Sequence, residues 1–521
     1  MTIQDTANIT DLSDSNTDNG YIKINSFGLH GINAYHIDIE IDISNGIPSF
    51  TLVGLPDTAI NESKERVKTA IKSLGIEFPS KRIVVNLAPG DTKKAGPLYD
   101  LPIATGIICL IEECGIINPS ILNDYYIVGE LGLNGDVRKV NGVLSQVIFA
   151  KKQNKKGVII PKKNQEEASL VDGINIYPVE KLQEIITLLN TIKKSIPYKK
   201  PISTKIEIPE QHDLSEIIGQ EKAKRALTIC AGGGHHMLLL GPPGSGKTML
   251  SERLPTILPE LTYEEKIEIT QIYSVAEKLN TEYKLSNKRP FRSPHHTISA
   301  AGLIGGGGIP QPGEITLAHN GVLFLDELTE FPRHVLNNLR QAIEKKNITI
   351  SRSKSTLSFP CNFTLIAACN PCPCGYYGDT IKKCTCSSEM IKKYFSKLSG
   401  PILDRIDLQV EVNRLSNEEL LTHKEYNPTS PIIKKDIENI RNIQRHRKKL
   451  NSELSSSEIR EYCKLTKSSE ILLKEAIKTY SLTARSFNKI LKVSRTIADL
   501  ENKTDVTDEH ILEALQYRIR S

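Results

Sequence analysis

The ten residues GPPGSGKTML, 241–250, follow directly on the apolar run HMLLL and constrain the fold more than any other stretch of the chain. They satisfy G-x-x-x-x-G-K-[ST] in the order strand, loop, helix. In such a loop the glycines let backbone amides turn toward phosphate oxygens at a helix N-terminus. Gly241, Pro242, Pro243, Gly244, Ser245 and Gly246 form the cradle, Lys247 reaches the β and γ phosphates, and the Thr248 hydroxyl is set to bind Mg2+. From residue 213 to about 412, apolar runs alternate with helical stretches, which predicts a parallel sheet flanked by helices.

A nucleotide site also needs a second Mg2+ contact and a group that orients the attacking water. GVLFLDEL, 321–328, offers both at the end of an apolar run: Asp326 to hold the metal through water, Glu327 to act as general base. FTLIAACN, 363–370, reads as the next strand of the same sheet. It would deliver Asn370 beside Glu327, where its amide holds the lytic water or senses the γ-phosphate; a turn-forming Asn before Pro371 is the other reading. The expected cofactors are ATP and Mg2+.

With 521 residues the chain has room for about three domains. Residues 1–20 carry four aspartates and no Lys or Arg, the reverse of an export signal, and read as a disordered tail. Residues 21–190 mix short alternating or apolar runs (HIDIEIDI, RIVVNLAP, GVIIP) with one helix in which Ile60, Val67, Ile71 and Leu74 recur at helical spacing. That pattern predicts a compact α/β domain. Pro197, Pro201 and Pro209 among lysines make 191–212 a linker. Residues 413–521, rich in Lys, Glu, Leu and Ile with no strand-like run, predict a small helical domain.

Charged residues at 25% and hydrophobic residues at 39% are ordinary for a soluble globular chain. A net charge of +6 is compatible with a polyanionic partner without demanding one. The longest apolar run, 101–111, is too short to span a bilayer, so the chain is expected off the membrane and in the cytoplasm.

Ten cysteines without an export signal imply reduced thiols. Cys109, Cys114, Cys230, Cys361, Cys369 and Cys463 are scattered and read as small buried residues. Cys372, Cys374, Cys384 and Cys386, in the loop 371–386, form C-x-C-x9-C-x-C. Four thiolates on two knuckles suit a structural zinc site, although the pairs are tighter than the common C-x2-4-C. Buried free thiols and redox chemistry are the alternatives.

Several stretches together carry a family likeness: IIGQEKAKRAL, HHMLLLGPPGSGKT, FRSPHHTISAAGLIGGGGIPQPGEITLAHNGVLFLDEL, ACNPCPCGYYGD and SGPILDRIDL, with GLPDTAINESKERV and VGELGLNGDV before them and LTARSFNKILKVSRTIADL after. The chain resembles the competence protein ComM, or YifB, family of magnesium-chelatase-like AAA+ ATPases over residues 21–520. The resemblance implies an AAA+ P-loop core over 213–412 and a helical lid over 413–521. It implies that Arg405 in PILDRIDL is an arginine finger reaching a neighbouring subunit, and that Arg485 in LTARS is a second sensor arginine. A guanidinium suits both roles because it stabilises charge spread over several phosphate oxygens. A finger supplied in trans implies a closed ring, and the family implies a homo-hexamer.

By the same resemblance, insertions at 302–315 and 348–360 form hairpins that line a central pore. Arg352 and Lys354 alternate with serines near the second tip, which puts both on one face, able to track branched or single-stranded DNA. A solvated basic edge is the bland alternative. RHRKK, 445–449, reads as a solvated helix face. Residues 21–190 resemble the Lon protease fold, but Leu98 and Leu144 stand at the places where that protease needs serine and lysine, so no protease activity is expected.

The expected function is an ATP-driven hexameric DNA motor, a branch-migration enzyme or helicase serving recombination and the integration of transforming DNA. The alternatives are magnesium-chelatase-type metal insertion and protein remodelling. Against the first stands the fused N-terminal domain, since the chelatase likeness is expected to begin at the ATPase core; Leu303 and Ile304 keep the second open as apolar pore residues.

Overall fold

The computed structural model describes residues 20–92, 94, 96–111, 114, 119–199, 212–279, 288–307, 310–352, 355–379, 382–398, 400–415, 429–480 and 482–518. Residues 20–199 fall in one compact unit and residues 212–518 in another.

The first unit is built on a seven-stranded sheet: β1 (Tyr21–His30), β2 (Asn33–Ser44), β3 (Ser49–Val53), β4 (Arg82–Ala88), β5 (Tyr125–Ile127), β6 (Gly157–Pro161) and β7 (Asn175–Val179). Its order is β3-β4-β2-β1-β5-β6-β7. β2 runs antiparallel to β1 and β4, and the remaining pairs are parallel. The alternation in HIDIEIDI has its usual cause: Ile37, Ile39 and Ile41 are fully buried on one face of β2. Helix α1 (Thr58–Ser73) starts where Asp57 accepts a hydrogen bond from Ile60 N, and it buries Ile60, Val67 and Ile71 as their spacing predicts. Arg66 ties it to α2 (Asp100–Cys109) through Asp100, at 2.6 Å.

In the second unit the strands are β8 (Met237–Leu240), β9 (Phe291–Arg292), β10 (Val322–Leu325), β11 (Asn347–Arg352), β12 (Ser355–Pro360), β13 (Thr364–Cys369) and β14 (Leu408–Glu411). Five of them form an all-parallel sheet in the order β9-β10-β13-β8-β14. MLLL and VLFL are buried at every position, the continuous apolar signature of a parallel strand covered on both faces. β11 and β12 pair as a hairpin outside that sheet, and Gly305–Gly306 pairs with Gln311–Pro312 as a second, shorter one.

From residue 429 onward the described chain is helical, with α3 (Ser430–His446), α4 (Lys467–Thr479), α5 (Ala484–Leu500) and α6 (Asp508–Gln516) as its longest members. These helices do not build a core of their own. Ile437, Ile490, Ile497 and Ile511 lie in one continuous apolar cluster with Leu239, Leu254, Phe324 and Val410 of the sheet unit. Helical spacing marks an apolar face, but not the surface that covers it.

Candidate functional site

Between Leu240, the end of β8, and Lys247, the first residue of helix Lys247–Ile257, the chain makes its turn with two left-handed glycines, Gly244 at φ +76° and Gly246 at φ +89°. Gly246 is the N-cap, and a side chain at either glycine would meet open space. Gly241 is different. A Cβ there would stand 2.1 Å from the Val412 carbonyl oxygen, so the loop lies directly against the chain leaving β14.

Lys247 is buried, and its ammonium donates to the carbonyl oxygens of Gly241 (2.7 Å) and Pro242 (2.9 Å) and reaches Asn370 Oδ1 at 3.4 Å. Burial pulls its pKa down while Asp326 pulls it up. The Ser245 hydroxyl is buried without a hydrogen-bond partner. An ammonium, an unpartnered donor and open left-handed glycines at a helix N-terminus are the donor set that a polyphosphate fits.

Two neighbouring strands bring their carboxyl ends to the same place. After β10, Asp326 Oδ2 accepts from Thr248 Oγ1 at 3.3 Å, and Asp326 Oδ1 accepts from Glu327 N at 2.9 Å. Glu327 has φ +51°, a left-handed conformation that costs a non-glycine residue about 1 kcal/mol. Its carboxylate is half exposed and lies 3.2 Å from His296 Nδ1. After β13, which sits between β10 and β8, comes Asn370. Lys247 is thus hydrogen-bonded to Asn370, and the adjacent Thr248 to Asp326, which in turn accepts from Glu327 N. Sequence reasoning missed His296. The signal was present: SPHH follows β9, a strand of the same parallel sheet, and so emerges at the same edge.

Arg405 and Arg485 lie elsewhere. Arg405 precedes β14, whose first residue pairs with the first residue of β8, which puts it at the amino-terminal edge of the sheet. It forms an ion pair with Glu344, and Arg485 reaches the same carboxylate at 3.9 Å and Asp404 at 3.5 Å. Burial, with Arg485 and Arg340 nearby, brings the Arg405 pKa down to about 10.

The four clustered cysteines come together with their sulfur atoms within 4.8 Å of one another. Cys230, Cys361, Cys369 and Cys463 are buried as expected, whereas Cys109 and Cys114 are only partly so: each lies at or beyond the end of α2, where one side faces outward. Leu98 and Leu144 are buried hydrocarbon. Within RHRKK, Arg447 pairs with Asp499 at 2.9 Å and Lys449 with Glu458 at 2.7 Å. The Arg352 side chain and Lys354 lie outside the described residues. Leu303 is fully buried, so it offers no apolar pore tip. Among the described residues no helix is long and apolar enough to cross a membrane.

The chain matches known proteins over most of its length. The family described as magnesium chelatase, subunit ChlI, matches residues 213–420; subunit ChlI of Mg-chelatase matches 39–164; and the ChlI C-terminal family matches 427–518. The chain is 43% identical to competence protein ComM of Haemophilus influenzae over 94% of its own length and 95% of that protein's. It is 41% identical to the uncharacterized protein YifB of Escherichia coli over the same shares. A shorter likeness, 29% identity over 165 residues, links it to Lon protease 2 of Bacillus subtilis. The chain belongs to the ComM/YifB family of magnesium-chelatase-like AAA+ proteins.

Proposed function

We propose that this protein is an ATP-driven DNA motor that works in the cytoplasm as a closed homo-hexamer and moves branch points during recombination, including the integration of transforming DNA. The observation that carries the reading is the split of the site. Lys247, Thr248, Asp326, Glu327 and Asn370 converge at one edge of the sheet, and Arg405 lies at the other. In this reading the loop and Lys247 bind the triphosphate, Thr248 and Asp326 hold Mg2+, Glu327 takes the proton of the attacking water, and Asn370 orients that water. Mg2+ would supply charge neutralisation on the β and γ oxygens. Arg405, too far from its own loop, serves the loop of the next subunit, and Arg485 acts beside it. The name of a 43% identical relative, a competence protein, points the motor toward DNA. Arg352 and Lys354 are the proposed contacts to the DNA backbone, and residues 413–521 the proposed lid.

A metal-insertion motor is the second reading. The expectation that the chelatase likeness begins at the ATPase core is not met, since a ChlI family also matches residues 39–164. The test is ATP-dependent branch migration on synthetic three- and four-stranded DNA by the wild type, Lys247→Ala and Glu327→Gln. Movement by the wild type alone is expected. Robust ATP hydrolysis with neither DNA movement nor DNA stimulation would overturn the DNA reading and favour metal insertion.

A further inference from the structure

The segment that follows Asn370 has no helix or strand among its described residues until Ser388, and its side chains form no apolar core: Tyr377 is 57% exposed and Gly378 lies open. Something else must fix its course. Cys372 Sγ lies 3.3 Å from Cys374 Sγ and 3.7 Å from Cys384 Sγ, and Cys374 Sγ lies 3.6 Å from Cys384 Sγ. A tetrahedron of sulfurs around Zn2+, with Zn–S near 2.3 Å, has edges of about 3.8 Å. The two knuckles therefore already stand close to the spacing that one such ion imposes.

The same loop rests on the phosphate loop. Gly375, at φ +84°, lies so near Pro243 that an added Cβ would be 2.8 Å from its Cδ. Arg414, just past β14, donates from Nη2 to the Pro243 carbonyl oxygen at 3.0 Å. Its guanidinium stands 5.5 Å from the centre of the Tyr376 ring, and its Nε is 3.6 Å from Asp379 Oδ2. Tyr376 and Asp379 belong to the cysteine loop, so Arg414 is clamped between that loop and the backbone of the phosphate loop.

We propose that Cys372, Cys374, Cys384 and Cys386 bind one structural Zn2+, and that the loop so closed braces the phosphate loop through Gly375, Tyr376, Asp379 and Arg414, so that zinc occupancy governs nucleotide affinity. Binding releases the thiol protons and leaves a site of net charge −2, closed to further ligands. The zinc site stands on the four sulfurs alone; its coupling to affinity rests on the nucleotide reading of residues 241–248.

The experiment uses full-length protein purified without chelator. Bound zinc is measured by elemental analysis, and affinity for a fluorescent ATP analogue is measured in saturating Mg2+ before and after a zinc-selective chelator, then after adding zinc back. The expected result is one zinc per chain, a dissociation constant about tenfold higher after stripping, as for loss of one charged hydrogen bond, and recovery on reconstitution. Arg414→Ala should retain the zinc and bind nucleotide about tenfold more weakly, which separates bracing from collapse of the loop. Absence of stoichiometric zinc, both as purified and after reconstitution, overturns the site. Zinc whose removal leaves nucleotide affinity unchanged overturns the coupling. Failure to bind nucleotide at all, with zinc present, refutes the proposed motor and leaves the metal site standing.

Discussion

Gly241→Ala tests the construction of the phosphate loop at its tightest point. The new Cβ would sit 2.1 Å from the Val412 carbonyl oxygen and 2.9 Å from Ser245 Oγ, against a floor of 3.0 Å for real contacts. Val412 cannot yield freely. It is fully buried, and its N–H donates to Leu240 O at 2.8 Å, which locks it to β8. The loop must therefore retreat by about an ångström, stretching the 3.2 Å bond from Gly241 N to Cys369 O as it goes. A displacement of that size between reacting groups costs on the order of 10²-fold in rate. Overpacking at one position costs about 1–3 kcal/mol of stability, which in a unit of this size lowers the melting temperature by only ~2–12 °C. Steady-state ATP hydrolysis and thermal melting on the same samples should thus diverge: activity falls by about two orders of magnitude while a cooperative melt persists. Turnover within threefold of wild type would show that the loop does not lie against Val412 as described.

His296 lies 3.2 Å from the carboxylate of Glu327, the proposed general base, and is expected to position it. His296→Phe should lower kcat about tenfold with KM for ATP little changed, whereas His296→Gln, which keeps a polar partner, should recover most of the rate; equal loss in both, or a loss confined to KM, would refute it. His236 Nδ1 accepts from Leu365 N at 3.0 Å, and burial pushes its pKa down to about 4. Between pH 6.5 and 4 the unfolded chain takes up a proton that the folded one refuses, so stability should fall through that window by no more than about 3 kcal/mol, then level off. Urea midpoints across pH 7.5 to 4.5 should show the fall, and His236→Gln should flatten it; an unchanged slope in the variant would refute the assignment.

The site was legible where local chemistry dictates geometry. GPPGSGKT and the acidic pair after VLFL each announce a strand end, and parallel strands deliver their carboxyl ends to one edge. Asn370 followed from the same rule once β13 was seen to be apolar. Arg414 was not legible, because an arginine after a strand carries no pattern of its own, and the signal at His296 depended on a two-residue strand being placed in the parallel sheet. Their roles come from the strand order β9-β10-β13-β8-β14, which no window of sequence contains. The C-terminal helices repeat the lesson. The spacing of Ile433, Ile437 and Ile440 predicts α3, but only the fold shows Ile433 and Ile437 in one cluster with Leu254.

Distance along the sheet bears on the proposed ring. β14 has four residues, about 13 Å at 3.3 Å each, and Arg405 lies three residues before it. The phosphate loop starts at the far end of the neighbouring β8. An arginine side chain cannot fold back across that thickness, because the apolar interior between the two edges offers a guanidinium no solvation. If Arg405 stabilises a transferring phosphoryl group, that group belongs to another subunit whose loop edge meets this subunit's arginine edge. Such a contact joins two different surfaces, so it repeats from copy to copy and ends only when the ring closes. Glu344, shared by Arg405 and Arg485, fits this arrangement. In the proposed ring this carboxylate would hold both guanidinium groups at one place until the more highly charged phosphate of a neighbour competed for them, and hydrolysis would then depend on the interface being formed.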